Sequence, residues 1–391
     1  MITVHPHQPR QLQTPSPPRP FIPVPPRGCA NSMSLIFTGT GPVLVTESPS
    51  EYLWTPQGSG QAPVPPLLQA PNIVVLDSVK SGNRVSTKDV YKQLLLPLLD
   101  SWNLPHSYVA TTSPESVRSV AASVGTTPTL LVLISGDTTI TELVNSVAST
   151  ASVTLLTVPM GTGNAFAHSV GLSTPLAAVQ ALTTGTARPL RLYEAVFEHG
   201  SQLLAQEGAQ PVTSLRFLVV GSWGLHACLV ADSDSPELRK LGNERFKVAA
   251  QRVLEQNPVF HGSFRADGRA VEDHAAFGYF VVAAVPRFEA TFEISPASDP
   301  AENALHVVYF HHQAPAAVME IMGQAYAAGK HVQDPRVGYL KTHTVELELH
   351  EQDARLRRIC VDGLIVQPAG SRVLFRPVES TSLQYVSPDK N

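Results

Sequence analysis

The sequence has little of several things that would place it quickly. Cysteine occurs three times in 391 residues, at Cys29, Cys228 and Cys360. Three widely spaced cysteines make neither a disulfide framework nor a CxxC metal clip, and they suit a reducing compartment. Charge is scarce and balanced: Lys+Arg 28 against Asp+Glu 32 leaves −4, so no net positive field gathers nucleic acid. The longest apolar runs, at 129–134 and 280–285, fall far short of the roughly 20 residues that span a bilayer. The N-terminus carries His and Pro in place of a basic-then-apolar secretory pattern. A cytosolic protein, in at most peripheral contact with membranes, is expected. The two commonest nucleotide fingerprints are also missing: neither GxxxxGK(S/T) nor GxGxxG follows a strand-like run.

What is there supports a large globular fold. At about 150 residues per domain the length implies two domains plus extra sequence, and 43% hydrophobic residues suffice for a sizeable core. Proline is unevenly placed, with 16 of 34 residues in the first 71. Fixed φ and missing donors oppose packing there, so residues 1–71 read as a proline-rich, mostly disordered tail that could serve a proline-reading partner domain. Inside it, two short apolar runs flank Thr-Gly-Thr-Gly-Pro in the segment 34–46, the pattern of a hairpin.

From residue 72 to 189 apolar runs alternate with amphipathic stretches. Strands are predicted at 72–76, 129–134 and 153–158, and helices over 87–102 and 139–149, as in a doubly wound α/β domain. From 190 to 391 strands dominate, at 190–198, 215–220, 276–285, 304–310, 344–349 and 372–376, with helices at 236–256 and 315–328. This second domain reads as a β-rich, sandwich-type layer with packed helices.

Three loops follow the predicted strands of the first domain: Lys80-Ser81-Gly82-Asn83, Ser135-Gly136-Asp137-Thr138-Thr139 and Gly161-Thr162-Gly163-Asn164. Backbone N–H groups at a strand-to-helix turn, with the positive helix end behind them, make an anion site. Any one such loop is also an ordinary tight turn with an N-cap. Three in register, followed in order by Asp232 to Phe246, Gly329-Lys-His331 and Val361-Asp-Gly363, form a more specific pattern. In these motifs the chain resembles the diacylglycerol kinase and sphingosine kinase catalytic family over about residues 72 to 376, closest to sphingosine kinase-like members.

The resemblance implies an NAD-kinase-like α/β domain, a C-terminal β-sandwich, ATP and Mg²⁺ in the cleft between them, and a lipid substrate. It places Ser81, Gly82, Asn83, Ser135, Gly136, Thr138, Glu142, Gly161, Thr162, Gly163 and Asn164 around the nucleotide, with Arg239 and Arg245 on its phosphates. Asp137 is the expected general base for the lipid hydroxyl, and Asp362 the expected catalytic and Mg²⁺-side carboxylate. Asp232 is expected at the lipid headgroup, where a carboxylate would suit a sphingoid ammonium, and Ala165 follows the sphingosine kinase pattern. Glu142 is otherwise a first-turn helix acid, and Asp362-Gly363 otherwise an ordinary turn between strands.

Two departures bear on activity. Thr138 stands where the family has Gly, and a β-branched residue disfavours φ > 0. Leu364 stands where the family has an acid. A pseudokinase of the same fold, acting as a binding or scaffold protein, is therefore the competing reading. His226 and His331 read as packing or hydrogen-bonding residues. Adjacent His311 and His312 point to opposite faces of a strand and do not chelate zinc. Cys228 and Cys360 read as small buried apolar residues.

Overall fold

The computed structural model describes residues 32–389 apart from 83, 85, 86, 206, 207, 243 and 380. Asn83 and residues 1–31 of the proline-rich segment thus lie outside the described residues.

The chain is folded well before residue 72, which corrects the extent of the expected tail. Strands β1 (Met33–Thr38), β2 (Gly41–Glu47) and β3 (Tyr52–Pro56) form an antiparallel meander. The hairpin at 34–46 is present, and a third strand follows it. Alternation explains why: Ile36, Val43, Val45 and Tyr52 all point inward and are buried, while Pro49 and Pro56 fall outside or at the end of a strand. The Trp54 indole donates to the Gln93 carbonyl at 2.8 Å and Lys88 pairs with Glu47 at 2.6 Å. These contacts fasten the meander to the α/β domain.

That domain runs β4 (Asn72–Asp77), a wide helical turn at Tyr91–Leu95 leading into α1 (Leu96–Asp100), β5 (Ser107–Ala110), α2 (Pro114–Ser123), β6 (Thr129–Ser135), α3 (Asp137–Ser146), β7 (Val153–Pro159), α4 (Ala165–Ser169), α5 (Pro175–Thr184) and β8 (Thr186–Pro189). Strands β5, β4, β6 and β7 are parallel neighbours in that order. Every residue of β6 is buried, as expected of a central parallel strand covered on both faces.

The second domain comprises β9 (Tyr193–Phe197), β10 (Gln202–Ala205), β11 (Gly208–Pro211), β12 (Ser214–Phe217), β13 (Val220–Gly224), α6 (Leu225–Ser233), α7 (Pro236–Arg239), α8 (Glu244–Gln256), β14 (Phe260–Ala266), β15 (Arg269–Ala283), β16 (Leu305–His311), α9 (Pro315–Ala325), β17 (Val337–Thr342), β18 (Val345–Leu349), β19 (Ile359–Val361), β20 (Leu364–Gln367) and β21 (Arg372–Pro377). These strands form one antiparallel sheet. The long β15 pairs with β14, β13 and β16, around a core of Trp223, Phe260, Phe264, Phe277 and Phe280. The last strand, β22 (Leu383–Ser387), returns to the first domain and lies parallel to β7, so the α/β domain is closed by the C-terminal end of the chain.

Helix α3 bolts the two domains together. Asn145 donates to the Arg216 carbonyl at 2.9 Å and accepts the Arg216 N–H at 2.8 Å. The Arg216 guanidinium donates to the carbonyls of Val144 and Val147, capping the negative end of the helix.

Candidate active site

Parallel register brings three loops to one edge. Asp77 lies beside Ile134 and Ser135 beside Pro159, so the segments after β4, β6 and β7 meet at the carboxyl ends of the strands, where open α/β sheets bind ligands. Their glycines are required by close approach. A Cβ on Gly161 would lie 2.5 Å from the Gly136 Cα, and one on Gly82, at φ +59°, would lie 2.2 Å from the Met160 carbonyl oxygen. Ser81 donates its N–H to Ser78 at 2.8 Å. Asn164, in the left-handed region at φ +51°, accepts the Gly161 N–H at 2.7 Å and donates to the Gly161 carbonyl at 2.9 Å. Thr162 and Gly163 sit within this small ring, and a Cβ on Gly163 would meet the Phe288 carbonyl of the second domain at 3.1 Å. Ser135 is fully buried, its hydroxyl without a hydrogen-bond partner among the described residues.

Sequence reasoning missed a brace beneath these loops. Arg84 donates to the carbonyls of Ser78 at 2.8 Å and Ile134 at 3.0 Å, and pairs with buried Asp77 at 2.6 Å. Tyr108 donates to the other Asp77 oxygen at 2.9 Å. The available signal was an acid ending an apolar strand run, with an Arg in the loop that follows.

Asp137 is the first residue of α3, not part of a preceding loop. Its two oxygens accept the N–H groups of Ala165 at 2.8 Å and Phe166 at 3.0 Å, so it caps the neighbouring helix α4. Burial raises its pKa against the opposing pull of the Phe166 and Ala165 donors. The side chain is half-buried and lies 3.9 Å from the position of a Cβ on Gly163.

Asp362 is placed differently from expectation. Asp362 and Gly363 both have positive φ, +46° and +87°, the signature of a two-residue hairpin turn joining β19 to β20. The carboxylate accepts the N–H groups of Leu218 at 2.9 Å, Val219 at 3.1 Å and Val220 at 2.7 Å, and the Thr141 hydroxyl lies 3.4 Å away. Burial pushes its pKa up to about 7, with the charge of Asp137 adding to the effect.

The family implies Mg²⁺, which is held by one or two carboxylates together with phosphate oxygens. Asp362 does not fit: its oxygens already face three backbone donors and a hydroxyl. Asp137 gives each oxygen to a backbone N–H, and no group of three His, Cys, Asp or Glu side chains suited to a metal occurs among the described residues. Asp362, committed to those backbone donors, does not fit the metal role expected of it.

Other expected contacts are also redirected. Asp232 gives one oxygen to Arg355 at 2.7 Å and the other to Arg358 at 2.8 Å. Burial works to raise its pKa, but the two guanidiniums outweigh it and hold the carboxyl below its ordinary value. A carboxylate so paired is not presented to an ammonium. Arg239 and Arg245 both pair with Asp234, Arg239 Nε at 2.8 Å and Arg245 at 3.3 Å, at the C-terminal end of α6 and not on the phosphate loops. Glu142 binds Arg118 of α2 at 2.8 Å, a helix-to-helix contact. Thr138 is the second residue of α3 and is not among the positive-φ residues, so the backbone objection to it disappears. Leu364 lies half-buried in β20. His331 packs as expected, donating from Nε2 to Ile294 at 3.0 Å, and Cys228 and Cys360 are buried free thiols.

The parallel sheet thus presents its glycine loops to an antiparallel second domain. Residues 72–195 match the diacylglycerol kinase catalytic domain, and residues 220–380 match the YegS C-terminal NAD kinase beta sandwich-like domain. The chain belongs to this diacylglycerol kinase family of lipid kinases. Among solved structures, a proposed diacylglycerol kinase from Bacillus anthracis str. Sterne is 15% identical with a TM-score of 0.59, covering 81% of this chain and 97% of that one. A second structure, described as a diacylglycerol kinase from the same strain, is 13% identical with a TM-score of 0.55 over 81% and 96% of the two chains. At such identities the likeness is one of fold. No curated protein matches the sequence. Among the described residues no helix is long and apolar enough to cross a membrane.

Proposed function

We propose that the protein transfers the γ-phosphoryl group of ATP to the hydroxyl of a lipid, with diacylglycerol-type acceptors ahead of sphingoid bases. The observation that carries the nucleotide half is the backbone contact of Gly136 with Gly161 at the start of α3. That helix has no side-chain cap, so its first-turn N–H groups suit phosphate oxygens. Asp137, fixed by two backbone donors and raised in pKa by burial, is the carboxylate suited to take the hydroxyl proton. The order of acceptors follows from Asp232: with both oxygens on arginines, the preference for an amino-lipid rests on Ala165 alone. Peripheral contact with the membrane that holds the lipid belongs to the same proposal.

The test is transfer of labelled γ-phosphate to a panel of diacylglycerol, ceramide, sphingosine and NAD. Labelled diacylglycerol is expected. Labelled NAD, or no binding of ATP, would overturn the reading. The pseudokinase alternative is favoured by one feature, the commitment of Asp362 to backbone donors. Its signature would be ATP binding without transfer to any lipid.

A further inference from the structure

One polar side chain at the domain cleft is not used by the phosphate loops. We propose that His226 reads the lipid acceptor, hydrogen-bonding through Nε2 to an oxygen of an uncharged, glycerol-type headgroup; the inference rests on the lipid-kinase reading above. The chain reaches the cleft through Gly224, at φ +76°, where a Cβ would lie 3.1 Å from the Gly278 carbonyl oxygen. That tight passage ends β13 and sets His226 as the second residue of α6. The imidazole is then fixed from behind: Nδ1 is 2.7 Å from the hydroxyl of Ser222, a fully buried residue.

Position follows from three contacts. The His226 ring lies 5.4 Å from the Phe288 ring and 6.2 Å from the Tyr279 ring. The Phe288 carbonyl is the atom that a Cβ on Gly163 would meet at 3.1 Å, and the same Cβ would lie 3.9 Å from Asp137 Oδ2. His226 is thus one aromatic ring removed from the loop and carboxylate assigned to phosphoryl transfer. Beyond Phe288 the wall continues through Phe292 and Tyr326, with ring centroids 6.2 Å and 4.9 Å apart along the series, an apolar surface suited to acyl chains.

Among the described residues Nε2 has no hydrogen-bond partner, and His226 is half-buried, so this nitrogen is the ring's unused hydrogen-bonding atom. Burial holds the imidazole pKa down at about 4, which keeps the ring neutral near pH 7. A neutral imidazole hydrogen-bonds a hydroxyl or an ester oxygen. It lacks the charge that a carboxylate would offer an ammonium.

The test uses the full chain and 1,2-dioctanoylglycerol, with binding measured by calorimetry and phosphorylation by kcat and KM. His226→Phe is expected to weaken dioctanoylglycerol binding and raise its KM about tenfold, the worth of one hydrogen bond in a pocket. ATP affinity should hold and kcat should change less than about threefold, while His226→Gln, which restores a polar group, should recover most of the loss. Ser222→Ala, which frees the ring without removing it, should act in the same direction and serves if His226→Phe does not fold. Unchanged lipid binding in both variants, an equal loss of ATP affinity, tighter binding of sphingosine than of dioctanoylglycerol, or no dioctanoylglycerol binding by the wild type would each overturn the inference. Binding that depends on His226 without phosphate transfer would instead leave it standing and refute the kinase reading.

Discussion

Replacing Asp362 by Asn separates a carboxylate that holds the fold from one that does chemistry. In the wild type its two oxygens serve the N–H groups of Leu218, Val219 and Val220 at 2.9, 3.1 and 2.7 Å. Asparagine keeps the volume and one carbonyl oxygen, enough for Val219 and Val220, but turns an NH₂ group toward the Leu218 N–H. One buried donor left unsatisfied costs about 1 to 3 kcal/mol. The opposing effect is charge. Because burial raises the Asp362 pKa from 3.8 to about 7, the folded protein holds a proton that the unfolded chain has lost. Wild-type stability therefore falls as pH rises from about 4 to about 7, then levels off. The Asn variant has no such proton to lose. Its deficit in Tm, measured by calorimetry from pH 5 to 8, should be largest near pH 5 and shrink as pH rises. Turnover below the melting range should stay within about threefold of wild type, against the 10² to 10⁴-fold loss expected on removing a general base. Lost turnover with an unchanged Tm, or a deficit that grows with pH, would refute the reasoning.

Three further substitutions test the remaining assignments. Asp137→Asn should lower phosphoryl transfer about 10² to 10⁴-fold with ATP affinity held within about threefold, read by single-turnover kinetics and calorimetry; it should also cost some stability, since one of the Ala165 and Phe166 donors loses its acceptor. Asp232→Asn should reduce kcat/KM equally for diacylglycerol and sphingosine and cost only about 1 kcal/mol, because the pair with Arg355 is partly exposed. The contribution of that pair is present above the ordinary carboxyl pKa of 3.8 and is lost as pH falls through the lowered folded value, which an acid titration of Tm would show. Thr138→Gly should destabilise by about 0.5 to 1 kcal/mol, as Gly does within a helix, with no gain in ATP affinity by calorimetry.

What the sequence reveals and what it hides divide along the range of the interactions. The strands at 72–77, 129–135 and 153–159 are legible because each is dominated by Val, Ile and Leu between turn signals, and the structure buries β6 at every position. The glycines of the phosphate loops are legible as turns, although their closest contacts, Gly136 with Gly161 and Gly82 with Met160, come from different loops. The hairpin at 34–46 is legible from its two apolar runs, whereas the third strand of the meander, Tyr52–Pro56, is hidden when proline is averaged over 71 residues. Carboxylates were the least legible, since a carboxylate is defined by its partner. Arg355 and Arg358 lie more than 120 residues beyond Asp232, and nothing local announces them. Asp362 shows the same limit from the other side: the turn it forms with Gly363 is readable from two residues, whereas the backbone donors at 218–220 that claim its oxygens lie more than 140 residues earlier. A motif can therefore fix where an acid sits in the chain while its chemistry is decided by whichever donors the fold brings to it. At this site those donors leave Asp137 as the acid still half open to the cleft.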